Sequence, residues 1–215
     1  MVKDIQEKTR GKLYTVAAPS GVGKTSLVKA LVECSDNLFV SISFTTRPCR
    51  PNEIDGVNYH FVNETTFKAM IARNDFLEYA MVFHHYYGTS KQWVEQQLVM
   101  GRNVILEIDW QGVRQVKQLF SECVRIFILP PSLQSLKKRL ETRGQDSAEI
   151  IADRMAVGKA EISHYQESDF LVVNDDFAHA VDELQAIVMN RNATDPSDLR
   201  VKHQLAEELL RENYH

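Results

Sequence analysis

Leu13-Tyr14-Thr15-Val16-Ala17-Ala18-Pro19-Ser20-Gly21-Val22-Gly23-Lys24-Thr25 is the stretch that decides the fold. Lys12 to Ala17 reads as a short strand. Lys24 to about Glu33 reads as a helix with Leu27, Val28 and Leu31 on one face. Between them, Ala18 to Thr25 spells G-x-x-x-x-G-K-[ST], with Ala18 in place of the first glycine. Gly21 and Gly23 let backbone N–H groups converge on phosphate oxygens, and the helix N-terminus adds its dipole. Lys24 can then reach the β- and γ-phosphates, and the Thr25 hydroxyl can ligate Mg²⁺. Strand, glycine turn and helix in this order read as a nucleoside-triphosphate cradle built from Ala18, Pro19, Ser20, Gly21, Val22, Gly23, Lys24, Thr25 and Ser26.

Outward from the cradle, strand patterns recur at Phe39 to Ser43, Phe76 to Val82, Asn103 to Ile108, Cys123 to Leu129 and Phe170 to Val173. Helical patterns cover Glu64 to Arg73, Ser90 (as N-cap) to Met100, Trp110 to Phe120, Ser132 to Thr142, Ser147 to Ser168 and Phe177 to Asn190. Their alternation predicts an α/β fold with a doubly wound, mostly parallel sheet. Residues 45–85 break that rhythm with Pro48, Pro51, Asn52, Gly56 and Asn58, although Val57, Tyr59 and Phe61 alternate like a strand, and they read as an inserted subdomain. Past Pro196 a last amphipathic helix is expected from Asp198 to Glu212.

The 215 residues are long for one core and short for two. No apolar run reaches the ~18 residues of a membrane span, and the N-terminus has no apolar signal region. Cys34, Cys49 and Cys123 lack metal-ligand spacing and fit reduced thiols, so a cytoplasmic protein is expected. A net charge of −4 speaks against a nucleic-acid partner. It leaves small anions open, since a few placed cations matter more there. The adjacent His84 and His85 read as surface or packing residues rather than metal ligands.

Arg47 and Arg50 lie three apart around Pro48 and Cys49, in a stretch too proline-rich for a helix. Alone they read as solvated surface arginines; held apart, two guanidinium forks can clamp one phosphate. Their surroundings favour the clamp. Ser-x-Ser-x-Thr-Thr-Arg-x-x-Arg at 41–50, Asp55 to Phe61, Phe76 to Ala80, Tyr86-Tyr87-Gly88-Thr89 and Glu107 to Gly112 follow the P-loop in fixed order. Over about residues 10–190 the chain resembles guanylate kinase, of the P-loop nucleoside monophosphate kinase superfamily.

The resemblance implies a P-loop NTPase-type core at 10–43, 90–138 and 159–192, with a GMP-binding insertion at about 44–89 and a helical lid at about 139–158. Residues 1–192 would form this domain and 193–215 a C-terminal helical extension. It implies Mg²⁺-dependent transfer of the γ-phosphoryl group of ATP to GMP, in a monomer or homodimer. Arg47, Arg50, Tyr59 and Tyr87 would hold the GMP phosphate; Ser43, Glu78, Thr89 and Asp109 would read guanine beside Gly88. Arg139, Arg143 and Arg154 would close over the ATP phosphates, acting with Lys24 and Arg47 in catalysis, and Asn174 would lie beside adenine. The chemistry of Glu78 agrees: guanine presents N1–H and N2–H₂ to a carboxylate, where adenine presents an acceptor.

Two positions keep alternatives. Val104 to Asp109 also reads as an apolar strand ending in a carboxylate, which would give Asp109 to Mg²⁺ instead of guanine, with Glu107 as an outer partner. Arg139 and Arg143, at i and i+4, also suit a basic helix C-terminus. The competing functions are a non-catalytic guanylate kinase-like binding module and a P-loop kinase for another phosphorylated acceptor. The intact Gly21, Gly23, Lys24 and Thr25 weigh against the first, and Glu78 with Asp109 against the second.

Overall fold

The computed structural model describes residues 9–142, 148–190 and 196–212. Its elements in chain order begin with β1 (Leu13–Ala17), α1 (Lys24–Glu33), β2 (Leu38–Val40), β3 (Phe44–Thr45), β4 (His60–Phe61) and α2 (Glu64–Ala72). There follow β5 (Phe76–Val82), β6 (His85–Ser90), α3 (Lys91–Val99), β7 (Asn103–Glu107), α4 (Trp110–Leu119) and β8 (Val124–Leu129). The last are α5 (Leu133–Thr142), α6 (Ala148–Ile162), a 3₁₀ turn (Tyr165–Glu167), β9 (Phe170–Val173), α7 (Phe177–Val188) and α8 (Pro196–Arg211). One sheet has the order β2-β7-β1-β8-β9, with the pairs β2/β7 and β8/β9 parallel. The first strand thus lies in the middle of this sheet. The α/β architecture matches the expectation.

Two compact units divide the chain, and the division passes through β1. The first comprises the described residues of Met1–Tyr14, Asn37–Leu106 and Gln111–Cys123. It holds a second sheet of order β4-β3-β6-β5, in which β3/β6 and β5/β6 are antiparallel. Its own small core is Phe67, Met70 and Phe76, with Phe44, Val62, Ile71 and Tyr86 packed against it. Phe67 stacks on Phe76 at 4.4 Å and on Tyr86 at 5.2 Å. Asn63 and Ser90 cap α2 and α3, accepting the N–H groups of Thr66 and Trp93.

The second unit comprises the described residues of Thr15–Asp36, Glu107–Trp110 and Val124–His215. Val16, Leu27, Leu31, Ile126, Ile128, Leu136 and Leu140 are buried in it. α8 packs on α6 and β9, burying Ala206 and Leu209. Lys202 is buried on this helix, paired with Asp198 at 2.6 Å and with Glu183 of α7.

Differences from the sequence expectation are local. The strand expected at Phe39 to Ser43 is the shorter β2, followed by β3 in the other sheet; Ser41 still donates its N–H to the Ile105 carbonyl. The helix expected over Ser147 to Ser168 ends at Ile162 and tightens into the 3₁₀ turn. β6 is a strand the pattern did not indicate. No described helix is long and apolar enough to cross a membrane.

Candidate nucleotide sites

In the second unit the phosphate loop joins β1 to α1. Gly21 and Gly23 take φ of +94° and +100°, the left-handed region that side chains resist. A Cβ on Gly21 would also lie 2.7 Å from Leu140 Cδ2, and one on Gly23 2.8 Å from Asn174 Nδ2. Both glycines are therefore required twice, by backbone shape and by space. Lys24 Nζ donates to the Ile108 carbonyl at 3.1 Å, placing the ammonium beside the end of β7. The Thr25 hydroxyl donates to Glu107 Oε2 at 2.8 Å.

The loop is braced from behind. The Val22 carbonyl accepts from Asn174 Nδ2 at 2.7 Å and from Arg139 Nη1 at 2.9 Å. Arg139 Nη2 donates to the Asn174 carbonyl at 2.8 Å. Asn174 is buried, so its amide nitrogen is committed to the loop's shape. Arg154 sits on α6, and Arg143 lies outside the described residues. Ala18 and Pro19 are buried, whereas Thr25 and Ser26 are exposed.

Glu161 was not signalled by any motif. The Ser20 N–H donates to its Oε2 at 3.2 Å. Burial pushes this carboxyl up to about 7; Lys24 and the Ser20 N–H pull it down, and Asp109 adds to the rise. Asp109 thus lies within electrostatic reach of Glu161, two residues past the end of β7. The next residue, Trp110, stacks on His164 with ring centroids 3.9 Å apart.

In the first unit the remaining residues gather on β5, β6 and the loop before β4. Glu78 and Thr89 face each other across the β5/β6 ladder, and the Thr89 hydroxyl donates to Glu78 Oε1 at 2.6 Å. Glu78 is only 3% exposed and Thr89 fully buried. A carboxylate so buried is costly unless it serves a partner. Ser43, the residue before β3, is buried as well. Gly88 packs against the aromatic core: a Cβ there would lie 2.9 Å from Phe76 and 3.0 Å from Phe67.

Arg47 is clamped. Its Nη2 donates to Glu53 Oε1 at 2.6 Å and its Nη1 to the Pro48 carbonyl at 2.8 Å. Its guanidinium lies over the Tyr59 ring at 5.4 Å and the Phe61 ring at 5.8 Å. Burial disfavours the Arg47 charge, but Glu53 and Tyr87 more than offset it and its pKa rises. The Arg47 hydrogen bond holds the Glu53 carboxyl below its usual range against the opposing effect of burial. The Arg50 N–H donates to Glu53 Oε2 at 2.9 Å, while its side chain is exposed. Tyr59 and Tyr87 meet edge to face at 6.0 Å. Glu53 therefore links the two arginines, and sequence reasoning missed it. Its only signal was a carboxylate three residues after Arg50 in a proline-asparagine turn.

A protein-family model described as guanylate kinase matches residues 10–191. The chain belongs to the guanylate kinase family. A guanylate kinase from Saccharophagus degradans is 54% identical over 202 residues, covering 93% of this chain and 98% of that protein. One from Hahella chejuensis is 57% identical over 178 residues, 83% of this chain and 86% of its own. The crystal structure of guanylate kinase from Anaplasma phagocytophilum superposes with a TM-score of 0.73 at 27% identity, covering 96% of this chain and 99% of that one. Family membership extends across both units, since the matched span includes the phosphate loop and the Glu78–Thr89 pair.

Proposed function

We propose that this chain transfers the γ-phosphoryl group of ATP to GMP, giving ADP and GDP. The observation that carries the reading is the buried Glu78 with its Thr89 hydroxyl, in a chain whose phosphate loop is intact. A triphosphate cradle alone suits many acceptors. A desolvated carboxylate selects a base that offers paired donors, as guanine does, and rejects adenine by about 10⁴–10⁵ where the site is built for that bond. A binding module would have no use for the Lys24 and Thr25 arrangement.

The insertion at about 44–89 is assigned to the acceptor, the segment at about 139–158 to the lid, and 193–215 to an extension outside the reaction. Arg47 and Arg50, with Tyr59 and Tyr87, hold the acceptor phosphate, and Glu53 ties the Arg47 guanidinium to the Arg50 backbone. Ser43, Glu78, Thr89 and Asp109 read the base, with Gly88 shaping the strand beneath. Lys24 and the loop N–H groups hold the donor phosphates, joined by Arg139, Arg143 and Arg154; Asn174 shapes the loop beside the nucleoside.

The acceptor phosphate is already an anionic nucleophile, so no general base is required. The barrier is electrostatic: two polyanions must meet in line with water excluded. Lys24 and the lid arginines offset charge on the transferring group, and Arg47 aligns the attacking oxygen. Thr25 and Glu107 form a pair of hard oxygen donors suited to Mg²⁺, which keeps most of its shell as water and phosphate oxygen. Thr25, with Glu107 behind it, would hold Mg²⁺, which would supply positive charge against the donor phosphates. ADP release from ATP should depend on GMP with the purified chain; ADP release at the same rate without GMP would refute the reading.

A further inference from the structure

α6 meets the phosphate loop along one face. Arg154, Gly158 and Glu161 stand at i, i+4 and i+7 on this helix and form a single stripe. Gly158 faces the loop: a Cβ there would lie 3.4 Å from Pro19 Cβ and 3.5 Å from Leu136 Cδ2, in ordinary contact. One turn on, Glu161 Oε2 accepts the Ser20 N–H, across 141 residues of sequence. The charged groups facing that carboxyl are Lys24 and Asp109. The loop is thus held at two places, at the Val22 carbonyl by Asn174 and Arg139 and at the Ser20 N–H by Glu161.

We propose that Glu161 is a positioning residue for the triphosphate: from the lid helix it fixes the Ser20 end of the phosphate loop, on the face that also carries Arg154. The proposal rests on the ATP reading of this loop. With the Ser20 N–H occupied by a protein acceptor, the glycine N–H groups beyond it are the ones left to meet phosphate oxygens. The same bond ties the loop's shape to the seating of α6, so lid and loop are set together. What the interaction needs is an acceptor oxygen at this distance, and glutamine offers one without the charge.

Calorimetry of Mg–ATP and of GMP binding to the full chain at pH 7 tests this. E161A should weaken ATP binding about tenfold and leave GMP binding within about twofold of the parent. E161Q should recover ATP affinity to within about threefold, because its amide oxygen still accepts the Ser20 N–H. E161D, one methylene short, should bind ATP as poorly as E161A. ATP affinity unchanged in E161A would overturn the proposal, as would E161Q weakened as far as E161A. Should E161A fail to fold, E161Q against E161D decides the same question. A parent chain that binds ATP but forms no GDP would contradict the kinase reading while leaving this test standing.

Discussion

Single side chains carry the sharpest consequences. Lys24→Ala removes the ammonium that donates to the Ile108 carbonyl, so turnover should fall at least about a hundredfold while circular dichroism stays unchanged. Glu78→Gln replaces a pure acceptor with an amide that presents N–H to guanine's own donors. The ratio of kcat/KM for GMP over AMP should then shrink by about a hundredfold or more, and an unchanged ratio would exclude base reading by Glu78. Glu161 makes a prediction in pH. Its carboxyl is raised from an ordinary 4.5 to about 7, so the folded chain binds more protons than the unfolded one across that window. Stability from this group is complete below about 4.5 and is lost as pH rises through about 7. Glu161→Gln should therefore melt higher than the parent at pH 8 and level with it at pH 4.5, read by differential scanning fluorimetry. The motif residues were legible because backbone geometry fixes their spacing. Glu53 and Glu161 were not, since they matter through turn-borne or long-range hydrogen bonds that no periodicity encodes.

At the scale of elements, the legible parts are those with strong local pattern. β1, α1, β5 and β7 fall where apolar runs and caps placed them, within a residue or two. β6 escaped because His85-Tyr86-Tyr87-Gly88-Thr89-Ser90 is polar and carries a glycine, and only pairing with β5 and β3 makes it a strand. Its hairpin is unusual too. Val82 pairs with His85, so Phe83 and His84 alone form the turn, with φ of +47° and +66°. Such turns ordinarily use asparagine and glycine, so no turn signal stood there. His84→Gly should relieve left-handed strain and stabilise the chain by about 1 kcal/mol in urea titration. Gly88→Ala should do the reverse, costing about 1–3 kcal/mol as Phe67 and Phe76 are forced apart.

For the molecule as a whole, an awkward length resolves into one family span plus a helix. The family match stops at residue 191, yet α8 buries Ala206 and Leu209 and holds Lys202 between Glu183 and Asp198. Removing that lysine leaves two carboxylates facing each other, one of them mostly buried. Lys202→Ala should cost about 3–5 kcal/mol of stability in chemical denaturation while leaving nucleotide selectivity intact. The mild negative charge is no obstacle to binding polyanions, because a few placed cations outweigh the overall balance. The most direct measurement incubates the purified chain with Mg²⁺, GMP and ATP labelled at the γ-phosphate. The label should appear in GDP, one for each ADP formed. Label recovered as inorganic phosphate, or left in ATP, would contradict the account.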